Sequence, residues 1–182
     1  MKYIILDKET EKTLNEIQKR IHRLQNWGSI DSLNNMGIGT QQQVGASFVS
    51  LKTLAEQYPA NERVATILWN TRKREEQIIA CFLFPGDTNR EKITQSIQTC
   101  YNEELAEYFG SVFLSRHKEL ADIINTWINS SVPHMQIAAL TAGARHLIIN
   151  RTAPLISVIF FKELANKEYE DKYVQLVARR YR

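Results

Sequence analysis

Apolar residues recur along this chain at three- and four-residue spacing, and strict alternation is almost absent, so the pattern predicts helix after helix. Leu14, Ile17, Ile21 and Leu24 mark one face of a first helix from about Asp7 to Gln25. The following segment, residues 26–46, holds four of the seven glycines and predicts a surface loop joining that helix to the remainder. Ser47 is placed to cap a helix bearing Phe48, Leu51, Leu54 and Ala55, which ends at Tyr58–Pro59. Asn61 is placed to cap the next, with Val64, Ile67 and Leu68 inward. A helix over about 72–84 stops at Pro85–Gly86, and Thr88 with Glu91 predicts a capping box ahead of Ile93, Ile97 and Cys100.

The second half continues in the same way. Leu105, Tyr108, Phe109, Val112 and Phe113 stripe one helix, and Leu120, Ile123, Ile124 and Trp127 the next. Ser131 is the expected cap of a helix with Pro133 in its first turn, and Pro154 the expected start of another, bearing Leu155, Val158, Ile159 and Leu164. A last helix is expected from Glu168 to the end, with Tyr173, Val174 and Val177 on one face. About ten short helices in pairs of some forty residues predict an all-α fold of antiparallel helix pairs. That period suits a HEAT-like solenoid over 1–182, with a plain bundle as the competing arrangement.

Composition sharpens this picture in a few places. At 182 residues and 43% hydrophobic content, the chain is long enough to bury one sizeable core. Two cysteines, Cys81 and Cys100, lie in apolar helical stretches, which argues against a disulfide framework and fits a reducing cytoplasm. No apolar run approaches the length of a membrane span, so a cytoplasmic protein without a membrane partner is expected. The net charge of +3 permits nucleic acid as a partner without requiring it. No phosphate-binding loop, dinucleotide fingerprint, HExxH or CxxC occurs. His22, His117, His134 and His146 lack metal-ligand spacing, and neither metal nor other cofactor is expected.

Cations gather in a few places: Arg63, Arg72, Lys73 and Arg74, then Arg145 and Arg151, then Arg179, Arg180 and Arg182. Aligned along a stack of repeats they would track phosphates; dispersed they would serve only as solubilising charge. Trp69 and Trp127 lie on apolar stripes and read as core, whereas Trp27, in the glycine-rich segment, is the tryptophan free to meet a ligand.

One set of residues carries a more specific signal: Gly45–Ala46–Ser47 entering a helix, then Leu68–Trp69, Glu75 and Ile79–Ala80, with ADIINTWINSSVPHMQIAAL later. In this order they resemble the HEAT-like-repeat family of bacterial DNA alkylation repair enzymes, the alkylpurine DNA glycosylases, over roughly 36–150. The resemblance implies a solenoid that binds duplex DNA on a basic concave face. In that family an Asp, an aromatic pair and an Arg in a cleft serve the excision. The family's Trp-x-x-x-Asp element falls here on Glu103 to Glu107, its Arg on Gln136, and a late aromatic near Val177. Glu107 keeps the carboxylate, whereas the stacking wall and the cation are replaced. A cationic sugar in the transition state needs a fixed carboxylate and a held lesion, so excision is expected to be weak or absent. The order of readings is therefore a DNA-binding relative of the glycosylases, then a protein-interaction scaffold, then an intact glycosylase.

Overall fold

The computed structural model describes residues 7–37 and 43–182. Among the described residues there are eleven α-helices and no strand, so the all-α expectation holds. The chain groups into two compact units, Met1–Phe84 and Pro85–Arg182. No described helix is long and apolar enough to cross a membrane.

The first unit contains α1 (Lys8–His22), α2 (Trp27–Asn35), α3 (Phe48–Ala55), α4 (Glu62–Asn70) and α5 (Arg74–Leu83). Asp7, Ser47 and Asn61 cap α1, α3 and α4 through their side-chain oxygens, satisfying amides of each first turn. Helix α5 packs on both α3 and α4, and α1 touches all three. Their common core includes Ile17, Leu51, Leu68, Trp69, Ile78 and Ile79.

The stretch expected as a loop over 26–46 is corrected in part, because α2 occupies its first half. Asn26 accepts from the Ser29 amide and caps a helix that buries none of its residues, so no apolar stripe announces it. Gly45 explains how α2 sits against the chain that follows. Its φ of +70° is a left-handed conformation, and a Cβ there would run into the Asn26 carbonyl and lie 2.9 Å from the Ile30 side chain. Residues 38–42 of the expected loop, which also carry part of the family resemblance, lie outside the described residues.

The second unit contains α6 (Arg90–Gln98), α7 (Glu103–Tyr108), a π-helical turn (Phe109–Phe113) running into a short 3₁₀ turn (Leu114–Arg116), α8 (Leu120–Trp127), α9 (Pro133–Ile149), α10 (Val158–Asn166) and α11 (Lys172–Arg179). Helix α9 is its centre, packing on α6, α7, the π turn, α8, α10 and α11. Its sequence IAALTAGA explains the role, since small residues let neighbouring backbones approach closely. A methyl at Gly110 would overlap Thr141 and the Ala138 carbonyl, so glycine is the residue that lets the π turn lie against α9.

Four expected helix starts are corrected. Asn89, not Thr88, caps α6, because the Thr88 hydroxyl donates to the Pro85 carbonyl instead. Helix α9 begins with Pro133 at its first position but without a capping side chain. Ser130, rather than Ser131, accepts from the Val132 amide. Ser157 caps α10, leaving Pro154 in the connection before it, and Asp171 caps α11, which starts later than Glu168.

Both cysteines are buried, and burial pushes the Cys100 thiol up to about 12. Alkylation requires thiolate, so neither should be modified by iodoacetamide at pH 8 while the chain is folded. Mass spectrometry with and without urea checks this. Native-state labelling of either residue at the rate seen in urea would contradict it.

Candidate functional site

Glu107 lies in the last turn of α7 and meets two side chains from the C-terminal end of the chain. The Tyr173 hydroxyl donates to Oε1 at 2.7 Å, and Arg180 Nη1 reaches both carboxylate oxygens at 2.9 Å. Tyr173 on α11 and Arg180 at its C-cap are seven residues apart and so share one face. The guanidinium carbon stands 5.8 Å from the Tyr173 ring centre. Burial and the bond to Glu107 raise the Tyr173 phenol above its ordinary value, keeping it a donor. The carboxylate is therefore neutralised by a cation of its own chain, which weakens its field on any developing positive charge. The apolar pattern groups Tyr173 with the core and Arg180 with a basic tail; the seven-residue spacing is the signal that joins them.

The other residues at the family-equivalent positions have structural duties. Glu103 lies in the first turn of α7, beside the Asn102 cap, where a carboxylate favours the positive end of the helix dipole. Gln136 Nε2 donates to the carbonyls of Ser130 at 2.9 Å and Ile128 at 3.4 Å, closing the turn between α8 and α9. Val177 is fully buried.

The run Arg72, Lys73, Arg74 does not form one patch, which corrects the expectation of a continuous cationic cluster. Arg72 is exposed, whereas Arg74 is 5% exposed and donates to the Ala46 carbonyl and to Glu75 Oε1, at 3.3 and 3.2 Å. The same carboxylate oxygen accepts from the Gly45 amide at 3.0 Å. Lys73 pairs with buried Glu76 at 3.2 Å, and Gln18 donates to the other Glu76 oxygen at 3.1 Å. Gly45, Ala46 and Glu75, which help carry the family resemblance, thus meet in one buried polar network. A cavity of about 310 Å³ borders it, lined in part by His22, Gln43, Lys73, Glu75 and Glu76.

Arg145, on α9, and Arg151, just beyond it, are exposed in the second unit. Trp69 and Trp127 are buried at 1% exposure, as their stripes predict, and Phe109 stacks on Trp127 with ring centres 6.4 Å apart. Trp27, at 71%, is open to a partner. His117 and His146 are buried and bonded to backbone groups. Among the described residues no group of three His, Cys, Asp or Glu side chains is positioned to hold a metal ion. No family model, curated protein or solved structure matches this chain.

Proposed function

We propose that this chain binds duplex DNA through its sugar–phosphate backbone, as a HEAT-like relative of the alkylpurine DNA glycosylases that has lost base excision. The observation that carries the reading is the exposure of Arg72, Arg145 and Arg151, none with an ion pair among the described residues. Arg72 adds a second reason. Its φ of +58° places an arginine where glycine would fit with less strain, consistent with a side chain retained for contact. The repeat architecture is supported by the succession of short helices with short connections. In the second unit α9 meets α7 and the π turn from the preceding pair and α10 and α11 from the following one.

The Glu107 geometry supports the loss of excision. Arg180 and Tyr173 hold the carboxylate, and neither Glu103 nor Val177 offers an aromatic wall. Replacing Arg72, Arg145 and Arg151 together with Ala is expected to weaken duplex binding. The slope of log affinity against log salt should fall by about 0.9 for each phosphate that is no longer neutralised. An unchanged slope in a folded triple variant would remove these arginines from the interface. In the same preparations, single-turnover release of 7-methylguanine is expected at the spontaneous rate, with or without Glu107→Gln. Faster release that depends on Glu107 would restore the enzyme.

The interaction-scaffold reading has an observation of its own, a run of exposed aliphatic residues from Ile148 to Ile159.

A further inference from the structure

We propose that the corner where α9 turns into α10 is a docking face for an acidic amphipathic helix of a partner protein. This rests on the interaction-scaffold reading; it shares Arg145 and Arg151 with the DNA-binding reading but not Arg72. Ile148, Ile149, Leu155, Val158 and Ile159 all face solvent there, with Leu155 half exposed and Ile159 at 74%. Five exposed large aliphatic side chains within twelve residues of chain exceed the scattered single ones that a folded surface ordinarily carries.

The segment is held, not loose. The Leu155 amide donates to His146 Nε2 at 2.9 Å, so the imidazole proton sits on Nδ1, where the Ser115 carbonyl accepts it at 2.8 Å. This buried histidine ties the connection after α9 back onto the helix. Farther along, Phe161 packs where a methyl on Gly143 would stand 2.8 Å from its ring, and Ile156 is buried beside it. Burying Ile156 and Phe161 while presenting Leu155, Val158 and Ile159 fixes the aliphatic side chains before any partner arrives, which lowers the ordering cost of association.

Charge selects the occupant. No Asp or Glu occurs between Asp122 and Glu163, while Arg145, Arg151 and Lys162 lie in and beside the aliphatic stretch and are exposed. An acidic partner is complementary to this face. A second copy related by a two-fold axis would bring the same arginines together, which is repulsive. Phosphates would pair with the arginines but leave the aliphatic side chains without partners. A helix with apolar residues at three-and-four spacing and carboxylates flanking them satisfies both features.

The test uses a fluorescent synthetic amphipathic peptide with leucines at that spacing and glutamates elsewhere, compared with its lysine counterpart by anisotropy on the full chain. The glutamate peptide is expected to bind at least about tenfold more tightly, with affinity falling as salt rises. Leu155→Asp with Ile159→Asp should weaken it by about tenfold or more. Leu155→Ser with Ile159→Ser, which adds no charge, should also weaken it and melt like the parent. Equal affinity for the two peptides, or no loss in the serine pair, would overturn the proposal. Sedimentation showing a dimer abolished by the serine pair would assign the face to a second copy instead. Duplex affinity lost in the serine pair, with the peptide unbound, would assign it to DNA. Arg72→Ala, outside this unit, should alter DNA binding alone, which separates the two readings.

Discussion

Trp69→Ala is expected to lower the unfolding free energy by about 3–5 kcal/mol, measured by urea denaturation followed by circular dichroism. Trp69 is 1% exposed in a unit whose α5 packs on both α3 and α4. Removing the indole withdraws a large apolar area and leaves a void that helices tied at their ends cannot fully close. The backbone there is also in use, because Gln77 Nε2 donates to the Trp69 carbonyl at 3.0 Å. Trp27→Ala supplies the contrast. Its side chain is open to solvent, so the change should stay within about 0.5 kcal/mol. A loss below about 1 kcal/mol for Trp69→Ala would remove this residue from the core and make it a stacking candidate again.

Arg74→Ala is expected to cost a similar amount, about 3–5 kcal/mol, because it leaves the buried Glu75 carboxylate without its cation. The Gly45 amide alone would then face Glu75 Oε1, and the Ala46 carbonyl would be deprived of a donor. Arg72→Ala, two residues earlier, should change stability by no more than about 0.5 kcal/mol, since its side chain is exposed. Arg74→Met combined with Glu75→Leu should recover part of the loss, because no unpaired carboxylate is left buried, while the Gly45 amide and Ala46 carbonyl still lose their partners. Comparable small losses for Arg72→Ala and Arg74→Ala would show that Arg74 is not the buried partner of Glu75. The comparison also bears on DNA binding. A variant set containing Arg74→Ala would confound weaker phosphate binding with unfolding, whereas Arg72, Arg145 and Arg151 test phosphate binding by itself.

Local chemistry settles much of the helical framework without any knowledge of distant contacts. Asp7, Ser47 and Asn61 each precede an amphipathic run, and each caps the helix that follows. The stripes through Leu14, Ile17 and Ile21, through Leu68 and Trp69, and through Ile123, Ile124 and Trp127 all form core. These features are legible because capping and helical periodicity act within a few residues of the chain. Where several polar residues lie side by side, the same rule cannot choose among them. Thr88 bonds back to Pro85, leaving Asn89 to cap α6, and Ser130 rather than Ser131 supports the start of α9.

The candidate site is legible in residue type and not in pairing. Glu107, Tyr173 and Arg180 are all visible in the sequence, yet the separation of 73 positions between Glu107 and Arg180 hides the pairing of the guanidinium with both carboxylate oxygens. Helix α2 escapes the pattern because it buries none of its residues and therefore shows no stripe; its cap and the left-handed Gly45 hold it. The adjacent Arg72, Lys73 and Arg74 have the same sign and similar reach, and only packing separates them into an exposed cation, a paired one and a buried one. Apart from α2, sequence by itself determined which segments coil, since helical periodicity depends on neighbours three and four residues away. Tertiary structure alone decided which charges meet water and which meet each other, because burial and ion pairing depend on what distant segments bring alongside.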